Sequence, residues 1–487
     1  MSLPSIPNPF FDVVVLGGGF AGTLTAIQLL RPGVCSIPSL RIALVEESGD
    51  FGPGIAYGRG AGDGLLNVGA ANMGAFPDAP GDFLRWAQER SGEPIPGSAF
   101  LPRRLYGDYI EDLLRQAREE SPHALVSIAG RAVDVAPLPD GTLSVALGGD
   151  RFLYAGKVVL AVGNFSPPPP SGDEAAACAD PRYLANPWCP ETVERLAEPG
   201  DVLIVGTGLT CLDYLCVLSR RKAGGTIHVL SRRGLFPLAH PPASVPFKNE
   251  GSLEPGTLRE LLRAVRRKIK AGAFWRDVID SLRPQSQALW QYLSVADRRR
   301  FLRHLRPYWD TARHRAPAES IALKDRLEAE GLLVCHKGRI ASIEAGKDGG
   351  LDVTYHPRGT PKGEARLLRV RYVANGTGVA TDCLRTGDPL VRNLLDRGLA
   401  RPDALRLGFA ADPGGRLLPA REPVRSDSEF DHEIFALGSI RRGSLWETTA
   451  VRELRQQAAE IAARIRGEPL AATAAHASAE TALLFDI

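Results

Sequence analysis

Asp12-Val13-Val14-Val15-Leu16-Gly17-Gly18-Gly19-Phe20-Ala21-Gly22 decides the fold. An apolar run enters a loop of the pattern Gly-x-Gly-x-x-Gly and leaves it in a segment that reads as helix, which is the strand, loop and helix order of a dinucleotide-binding unit. Gly17 allows the tight turn, Gly19 lets the backbone approach a pyrophosphate, and Gly22 lets the helix pack close to the strand. Phe20 and Ala21 complete the loop, and phosphates would lie at the helix N-terminus, facing free amides. The next strand, Arg41-Ile42-Ala43-Leu44-Val45-Glu46, ends in an acid about twenty residues beyond the loop, where a carboxylate bonds a ribose hydroxyl. Glu46 is that acid.

A second loop follows a second apolar strand: Asp201-Val202-Leu203-Ile204-Val205-Gly206-Thr207-Gly208-Leu209-Thr210, with Cys211 where the third glycine is expected. That position governs helix packing, and a small side chain nearly fits. Its next strand, Thr226-Ile227-His228-Val229-Leu230, runs into Ser231-Arg232-Arg233 with no terminal acid. Arginine there suits a ribose 2′-phosphate and so favours NADPH over NADH, the alternative being a solvated Arg pair. Two loops in one chain imply electrons moving between two cofactors.

The chain has 487 residues, 44% of them hydrophobic, and a net charge of +3, which suits more than one packed domain and gives no global attraction to nucleic acid. The start, Met1-Ser2-Leu3-Pro4-Ser5-Ile6-Pro7, lacks the features of a signal peptide, and no apolar run approaches membrane-spanning length, so a cytoplasmic protein is expected. The cysteines, Cys35, Cys178, Cys189, Cys211, Cys216, Cys335 and Cys383, form no Cys-x-x-Cys pair, which weakens a thiol-disulfide reductase reading.

Lys157-Val158-Val159-Leu160-Ala161-Val162-Gly163 reads as a core strand leaving its domain through the stiff Pro167 to Pro170 crossover, and Arg371-Tyr372-Val373-Ala374-Asn375-Gly376-Thr377-Gly378 nearly repeats it. Two such exits flanking the second loop indicate an α/β fold of two Rossmann-like dinucleotide-binding domains, the second inserted in the first. The expected bounds are 1–170 and 365–470 for the outer domain and 195–364 for the inserted one, with a helical insertion over about 252–318 and a flexible tail over 471–487. Glu433-Ile434-Phe435-Ala436-Leu437-Gly438-Ser439 precedes a helix expected from about Thr448 to Ile465.

Between Ser252 and Arg315 stand fifteen Lys and Arg against six Asp and Glu, an excess of nine that leaves the rest of the chain about six negative. Phe274, Trp275, Trp290, Tyr292, Tyr308 and Trp309 are interleaved. Arginine with aromatics also suits nucleic acid. Yet Trp275, Val278, Ile279 and Leu282 fall at helical spacing, so a helical cover with arginines turned to an anionic substrate or NADPH fits better.

The order of first loop, Glu46, exit strand, second loop, second exit and Phe435-Ala436-Leu437-Gly438 resembles the flavoproteins with two dinucleotide-binding domains, including the flavin-dependent N-hydroxylases. Gly54-Ile55-Ala56-Tyr57, Leu65-Leu66-Asn67-Val68, Leu101-Pro102-Arg103-Arg104-Leu105-Tyr106-Gly107-Asp108-Tyr109 and Arg442-Gly443-Ser444-Leu445-Trp446-Glu447-Thr448 are similar to the bacterial group containing FAD-dependent urate hydroxylase and L-aspartate N-monooxygenase. The resemblance implies FAD on the outer domain and NADPH or NADH on the inserted one. It also implies hydroxylation of a small anionic nitrogen-containing substrate, urate-like or an amino acid such as L-aspartate, by dioxygen through a flavin hydroperoxide. Gly163, Gly438, Asn67 and Arg104 become candidates for the flavin or substrate face, with a turn Asn and a surface ion pair as the competing readings of the last two. Ser439 stands where the family usually has an acid near the flavin ribityl and phosphate. Trp446 reads as packing. Neither a nucleic acid nor a membrane partner is expected, and no catalytic acid, base or metal site is assigned. The alternatives are an oxidoreductase passing electrons to another acceptor and a non-catalytic flavin-binding redox sensor.

Overall fold

A computed structural model describes residues 9–31, 40–58, 64–170, 180–221, 224–242, 245, 247–361, 363–420 and 433–468. The expected tail over 471–487, Cys35 and Cys178 lie outside them. The β-branched run before the first loop forms β1 (Phe10–Leu16), and Val13, Val14 and Val15 are fully buried there. A strand apolar on both faces needs neighbours on both edges and helices on both faces. It has the edges: β1 lies between β2 (Ile42–Glu46) and β6 (Arg151–Leu160), parallel to both.

The first sheet runs β3 (Leu125–Ala129), β2, β1, β6, and β14 (Glu433–Ala436) pairs in parallel with the C-terminal end of β6. The N-terminal half of β6 turns to antiparallel partners, β5 (Leu143–Leu147) and then β4 (Ala132–Pro137). Helix α1 (Phe20–Leu30) follows the first loop and packs on the C-terminal helix, which seals one face of this sheet.

The second sheet repeats the plan. Its order is β12 (Arg366–Val370), β11 (Leu351–Pro357), β10 (Leu333–Ala345), β9 (Ile227–Ser231), β8 (Val202–Val205), β13 (Tyr372–Asn375), β7 (Tyr183–Leu184). Like β6, the long β10 pairs in parallel at one end, with β9, and antiparallel at the other, with β11. Both sheets are therefore α/β dinucleotide-type layers, and the second is built entirely from chain lying between β6 and β14 of the first.

The domain edges differ from the expectation. The expected bounds put β12 and β13 in the returning outer domain from 365, yet β13 hydrogen-bonds between β8 and β7 inside the second sheet. The second unit thus runs from Tyr183 to Asn375, because a short apolar strand shows its periodicity but not which sheet supplies its partners. Fully buried Asn375 pins the junction: its Nδ2 donates to the carbonyls of Pro167 (3.3 Å) and Pro168 (3.0 Å) and to the Tyr183 hydroxyl (2.8 Å). The two crossovers run side by side, with the Ala380 amide donating to the Phe165 carbonyl at 3.1 Å.

Within the second unit, α3 (Leu209–Arg221) follows the second loop, and the basic insertion folds as short helices that include α4 (Leu258–Lys270), α5 (Trp275–Ser281) and α6 (Arg306–Arg313). Val278 and Leu282 are buried, in keeping with a core stripe, and Trp446 is buried among Trp290 (ring centroids 5.0 Å apart) and Phe301 (5.2 Å). Its packing reading holds. After α7 (Pro389–Asp396), the C-terminal helix α8 spans Val451–Ile465, three residues shorter at its start than expected, because Thr448 to Ala450 form a loop. Among the described residues, no helix is long and apolar enough to cross a membrane.

Candidate functional site

The first loop is built as its spacing requires. Gly17 sits at φ +106°, and a Cβ there would lie 2.2 Å from the Ala161 carbonyl oxygen. A Cβ on Gly22 would lie 1.8 Å from the Gly17 oxygen, so α1 can pack this close only without a side chain. Gly19 caps α1, with its own Cβ position 3.3 Å from Gly54 Cα. Phe20 is buried edge-on to Tyr57, and the Ala21 carbonyl accepts from Thr25 Oγ1 at 2.8 Å. Sequence reasoning gave Gly18 no role, yet a Cβ there would meet Glu46 Cβ at 2.7 Å. The Gly18 amide donates to Glu46 Oε2 (2.8 Å) and Ser48 Oγ to Oε1 (2.8 Å), which aims the carboxylate at the loop mouth.

The second loop is looser. Gly206, at φ +109°, would place a Cβ 2.4 Å from the Gly376 oxygen, whereas a Cβ on Gly208 meets nothing within 4 Å. Thr207 is turned inward, its hydroxyl donating to the Leu235 carbonyl at 2.6 Å. Leu209 and Thr210 reach the central cavity, and Cys211 is fully buried at the start of α3. Arg232 and Arg233 directly follow β9, and after burial the like charges of Arg233, Arg339 and Arg306 lower the Arg232 guanidinium below its usual value. Arg232, Arg233 and Arg339 have no acid partner among the described residues, so this corner suits an anion.

At the returning exit, Gly438 lies at φ +81° and its amide donates to Gln457 Oε1 of α8 at 3.0 Å. Ser439 Oγ donates to the Gly163 carbonyl at 2.5 Å, so the hydroxyl in the expected acid position ties β14 to the end of β6. A Cβ on Gly163, at φ +68°, would meet no protein atom within 4 Å.

Between the units lies a cavity of about 1300 Å³. The four segments behind the narrower resemblance, separated by up to nearly 400 residues in sequence, converge on it: Ile55, Ala56 and Tyr57; Asn67 and Val68; Arg103; and Arg442, Trp446, Glu447 and Thr448. Asn67 is at the wall, its carbonyl accepting from His240 Nε2 at 3.0 Å across the two units. Arg104 is not. Its side chain turns back along α2 (Arg103–Glu120) to Asp108 at 3.2 Å, the competing surface-pair reading, while Arg103 faces inward and pairs with Asp213 of α3 at 3.0 Å. Adjacent positions on a helix point about 100° apart, so a two-arginine motif does not show which one faces the cavity.

The insertion's positive excess divides the same way. Arg259, Arg263, Arg266, Arg267 and Lys270 line the exposed face of α4, while Arg276, Arg283, Arg313 and Arg315 reach the cavity. Arg276 is held by Asp277 at 2.6 Å and Arg315 by Asp280. Arg313 pairs with the buried Glu447 at 3.0 Å, and Arg283 approaches Glu453 of α8 at 3.6 Å. Burial pushes the Glu453 carboxyl up, but Arg283 and Arg313 outweigh it and the net shift is downward, so it stays ionised. His314 is pushed down to about 4, first by burial and then by Arg313, so it stands neutral in the wall at neutral pH.

The folded His314 pKa lies below its unfolded value. The native state therefore resists protonation, and stability above pH 6.5 is lost as pH falls toward 4. The ring is part open to the cavity, which moderates the effect. The expected outcome is a urea midpoint that falls from pH 6.5 to 4.5 less steeply in His314→Gln than in the parent chain; parallel curves would contradict it.

Residues 14–165 match the FAD-NAD(P)-binding family model. An uncharacterized protein of Mycobacterium tuberculosis is 24% identical over 482 aligned positions, which cover 84% of this chain and 89% of that one. The ornithine hydroxylase of Pseudomonas aeruginosa superposes with a TM-score of 0.65 at 15% identity, covering 94% of this chain and 99% of the other. The FAD-bound cadaverine monooxygenase of Erwinia amylovora, from desferrioxamine biosynthesis, does so at 0.62 and 12% identity, covering 96% of each. At these identities the likeness establishes the fold, while activity is a matter for the site.

Proposed function

We propose that the chain is an FAD-dependent, NADPH-using monooxygenase that hydroxylates a small anionic nitrogen-containing substrate, an amino acid such as L-aspartate or a urate-like ring. The observation that carries this reading is the convergence of four distant motif segments and the end of the second loop, Leu209 and Thr210, on one arginine-rich cavity between two dinucleotide-type units. The backbone fits the cofactors: glycines at 17, 19 and 22 allow the tight turn and close helix packing of a dinucleotide loop, and no protein atom stands within 4 Å of a Cβ on Gly163 or Gly208. Gly17, Gly19, Gly22 and Glu46 would hold the FAD phosphates and ribose, with Gly163, Gly438 and Ser439 toward the flavin. Gly206, Gly208 and the Arg232–Arg233 corner would hold NADPH.

Bound flavin, once reduced by the nicotinamide, supplies the activation of dioxygen. The protein's own tasks are positional. The N-terminus of α8 borders the cavity, where its positive end favours negative charge on a ligand. The Arg103–Asp213 pair and the His240–Asn67 hydrogen bond clamp the two units beside it. Eight arginines against five carboxylates among its described lining residues favour an anionic guest.

NADPH and NADH oxidation by FAD-loaded protein, in air and under argon, with urate, L-aspartate, ornithine and lysine and with a peroxide assay, tests the reading. A substrate that raises oxygen-dependent oxidation tenfold or more while suppressing peroxide supports it. Brisk anaerobic turnover with an added electron acceptor would sink hydroxylation and favour a reductase.

The cofactor preference is tested by the double variant Arg232→Gln with Arg233→Gln. Losing a charge-assisted contact worth about 1.5–3 kcal/mol corresponds to roughly a tenfold to hundredfold rise in KM for NADPH. KM for NADH should move less than threefold; equal changes for both nucleotides would remove the 2′-phosphate assignment.

A further inference from the structure

The face of the second sheet turned away from α3 is apolar around Leu203, Val205, Leu230 and Val353, yet a row of hydrogen-bonding groups crosses it. The Tyr355 hydroxyl of β11 lies 3.1 Å from His336 Nδ1 of β10, and His336 Nε2 lies 3.1 Å from His228 Nδ1 of β9. His228 Nε2 in turn faces the carboxylate of Asp201, just ahead of β8, at 3.7 Å. A neutral imidazole has one N–H and one bare nitrogen. With Asp201 drawing the His228 hydrogen to Nε2, His228 Nδ1 accepts, His336 donates from Nε2, and Tyr355 donates to His336 Nδ1. Every hydrogen in the row then points toward Asp201.

One added proton is absorbed by reversing the row: His228 becomes the cation beside Asp201 and donates to His336, which turns its own N–H to the Tyr355 oxygen. A second proton has no such place. It sets His228 Nδ1–H against His336 Nε2–H, two donors and two positive charges facing each other across a 3.1 Å contact. The ladder that carries the two rings is short, five residue pairs from Leu333 opposite Ile227 to Lys337 opposite Ser231. Arg232 and Arg233 follow β9 directly, and Arg339 stands three residues beyond His336 on β10, so the arginine corner is built on the same two strands.

We propose that the His228–His336 pair is an acid-operated latch on the seam between β9 and β10, closed while the pair holds no more than one added proton and opened by the second, and that opening it spreads the arginine corner and lowers its affinity for a phosphate group. The proposal names the regulation of the nucleotide site, and it rests on the NADPH assignment only for what the corner binds. The charged and titratable groups that face the pair are Asp201, Tyr355 and, from β12, Arg366. Burial holds both imidazoles below their ordinary value; Asp201 opposes this at His228, while the charges of His228 and Arg366 add to it at His336. The folded pair therefore resists protonation, and the stability present above pH 6.5 is lost as pH falls below it, in two steps that belong to the pair. Direct charge attraction acts the other way, since a cation near the corner draws phosphate in, so the sign of the pH effect separates the latch from the field.

Hydrogen exchange of the FAD-loaded full chain between pH 7.5 and 5.0 tests the latch, with the intrinsic pH dependence of exchange divided out. Peptides over 227–231 and 333–337 should lose tenfold or more in protection, while peptides of β1 and β2 change less than threefold. In His336→Gln, whose side chain hydrogen-bonds but cannot charge, the loss should fall below threefold. Adenosine 2′,5′-bisphosphate probes the corner, with adenosine 5′-monophosphate beside it. Over the same range its affinity should fall at least fivefold further in the parent than in His336→Gln, a comparison that cancels the titration of the phosphate itself. Level protection in the parent, or a bisphosphate affinity that falls no further in the parent than in the variant, overturns the proposal; where the variant does not fold, the parent's exchange decides. A bisphosphate that binds no better than the monophosphate at pH 7.5 would sink the NADPH assignment of the corner and leave the exchange comparison to decide the latch.

Discussion

Gly22→Ala is expected to give a chain purified without FAD and destabilised by about 3 kcal/mol, near the upper end for overpacking. The new Cβ would stand 1.8 Å from the Gly17 carbonyl oxygen, an atom of the backbone turn itself, which no rotamer change can move aside. Helix α1 would have to slide away from β1, and the amides at its N-terminus would leave the position proposed to receive phosphate. Gly17→Ala should behave alike, since its Cβ would add a clash at 2.2 Å to a left-handed backbone at φ +106°. Gly19→Ala, with 3.3 Å to Gly54 Cα, should keep the fold and weaken FAD by steric intrusion alone. Gly148→Ala, whose nearest neighbour would be 4.0 Å away, is the control. Bound flavin per chain and the urea midpoint measure all four, and a flavin-replete Gly22→Ala of parental stability would show that the loop packing has been misjudged.

Cys211 occupies the equivalent position in the second loop and is accommodated, fully buried, at the start of α3. The two loops thus share a spacing and differ in closeness. That difference was legible: a third glycine signals tight packing and a cysteine signals slack. The order of strands, loops and Glu46 was also legible, because the constraint on each is local. What stayed hidden is set by tertiary partners. Tyr372–Asn375 reads as an apolar strand in either sheet, and only its hydrogen bonds to β8 and β7 assign it. Arg103 and Arg104 are chemically the same in sequence, and the pitch of α2 sends one to Asp213 and the other to Asp108. Glu447 stood in a quoted motif without a role. Its importance comes from Arg313, 134 residues earlier, which composition marked only as part of a basic region.

Arg313→Ala is the second large effect. It would leave the Glu447 carboxylate, buried and bonded to Arg313 Nη2 at 3.0 Å, without its main counter-charge, and removing one member of a buried pair costs about 3–5 kcal/mol. Burial works against the charged guanidinium, yet its pKa is net raised, because Glu447 and Glu453 outweigh desolvation. The pair also fastens the insertion to the C-terminal segment, beside the Gln287 bond to the Glu447 carbonyl at 3.1 Å and the Trp290 indole bond to the Gly443 carbonyl at 2.9 Å. Those neutral bonds remain in the variant, so the loss should appear as a lower urea midpoint with the cooperative transition preserved. Adding Glu447→Ala removes the stranded charge, so the double variant should be more stable than Arg313→Ala alone, the non-additivity expected of a directly coupled pair. Strictly additive costs would mean that cavity water already screens Glu447, and that the ion pair is a surface contact rather than the hinge between insertion and site.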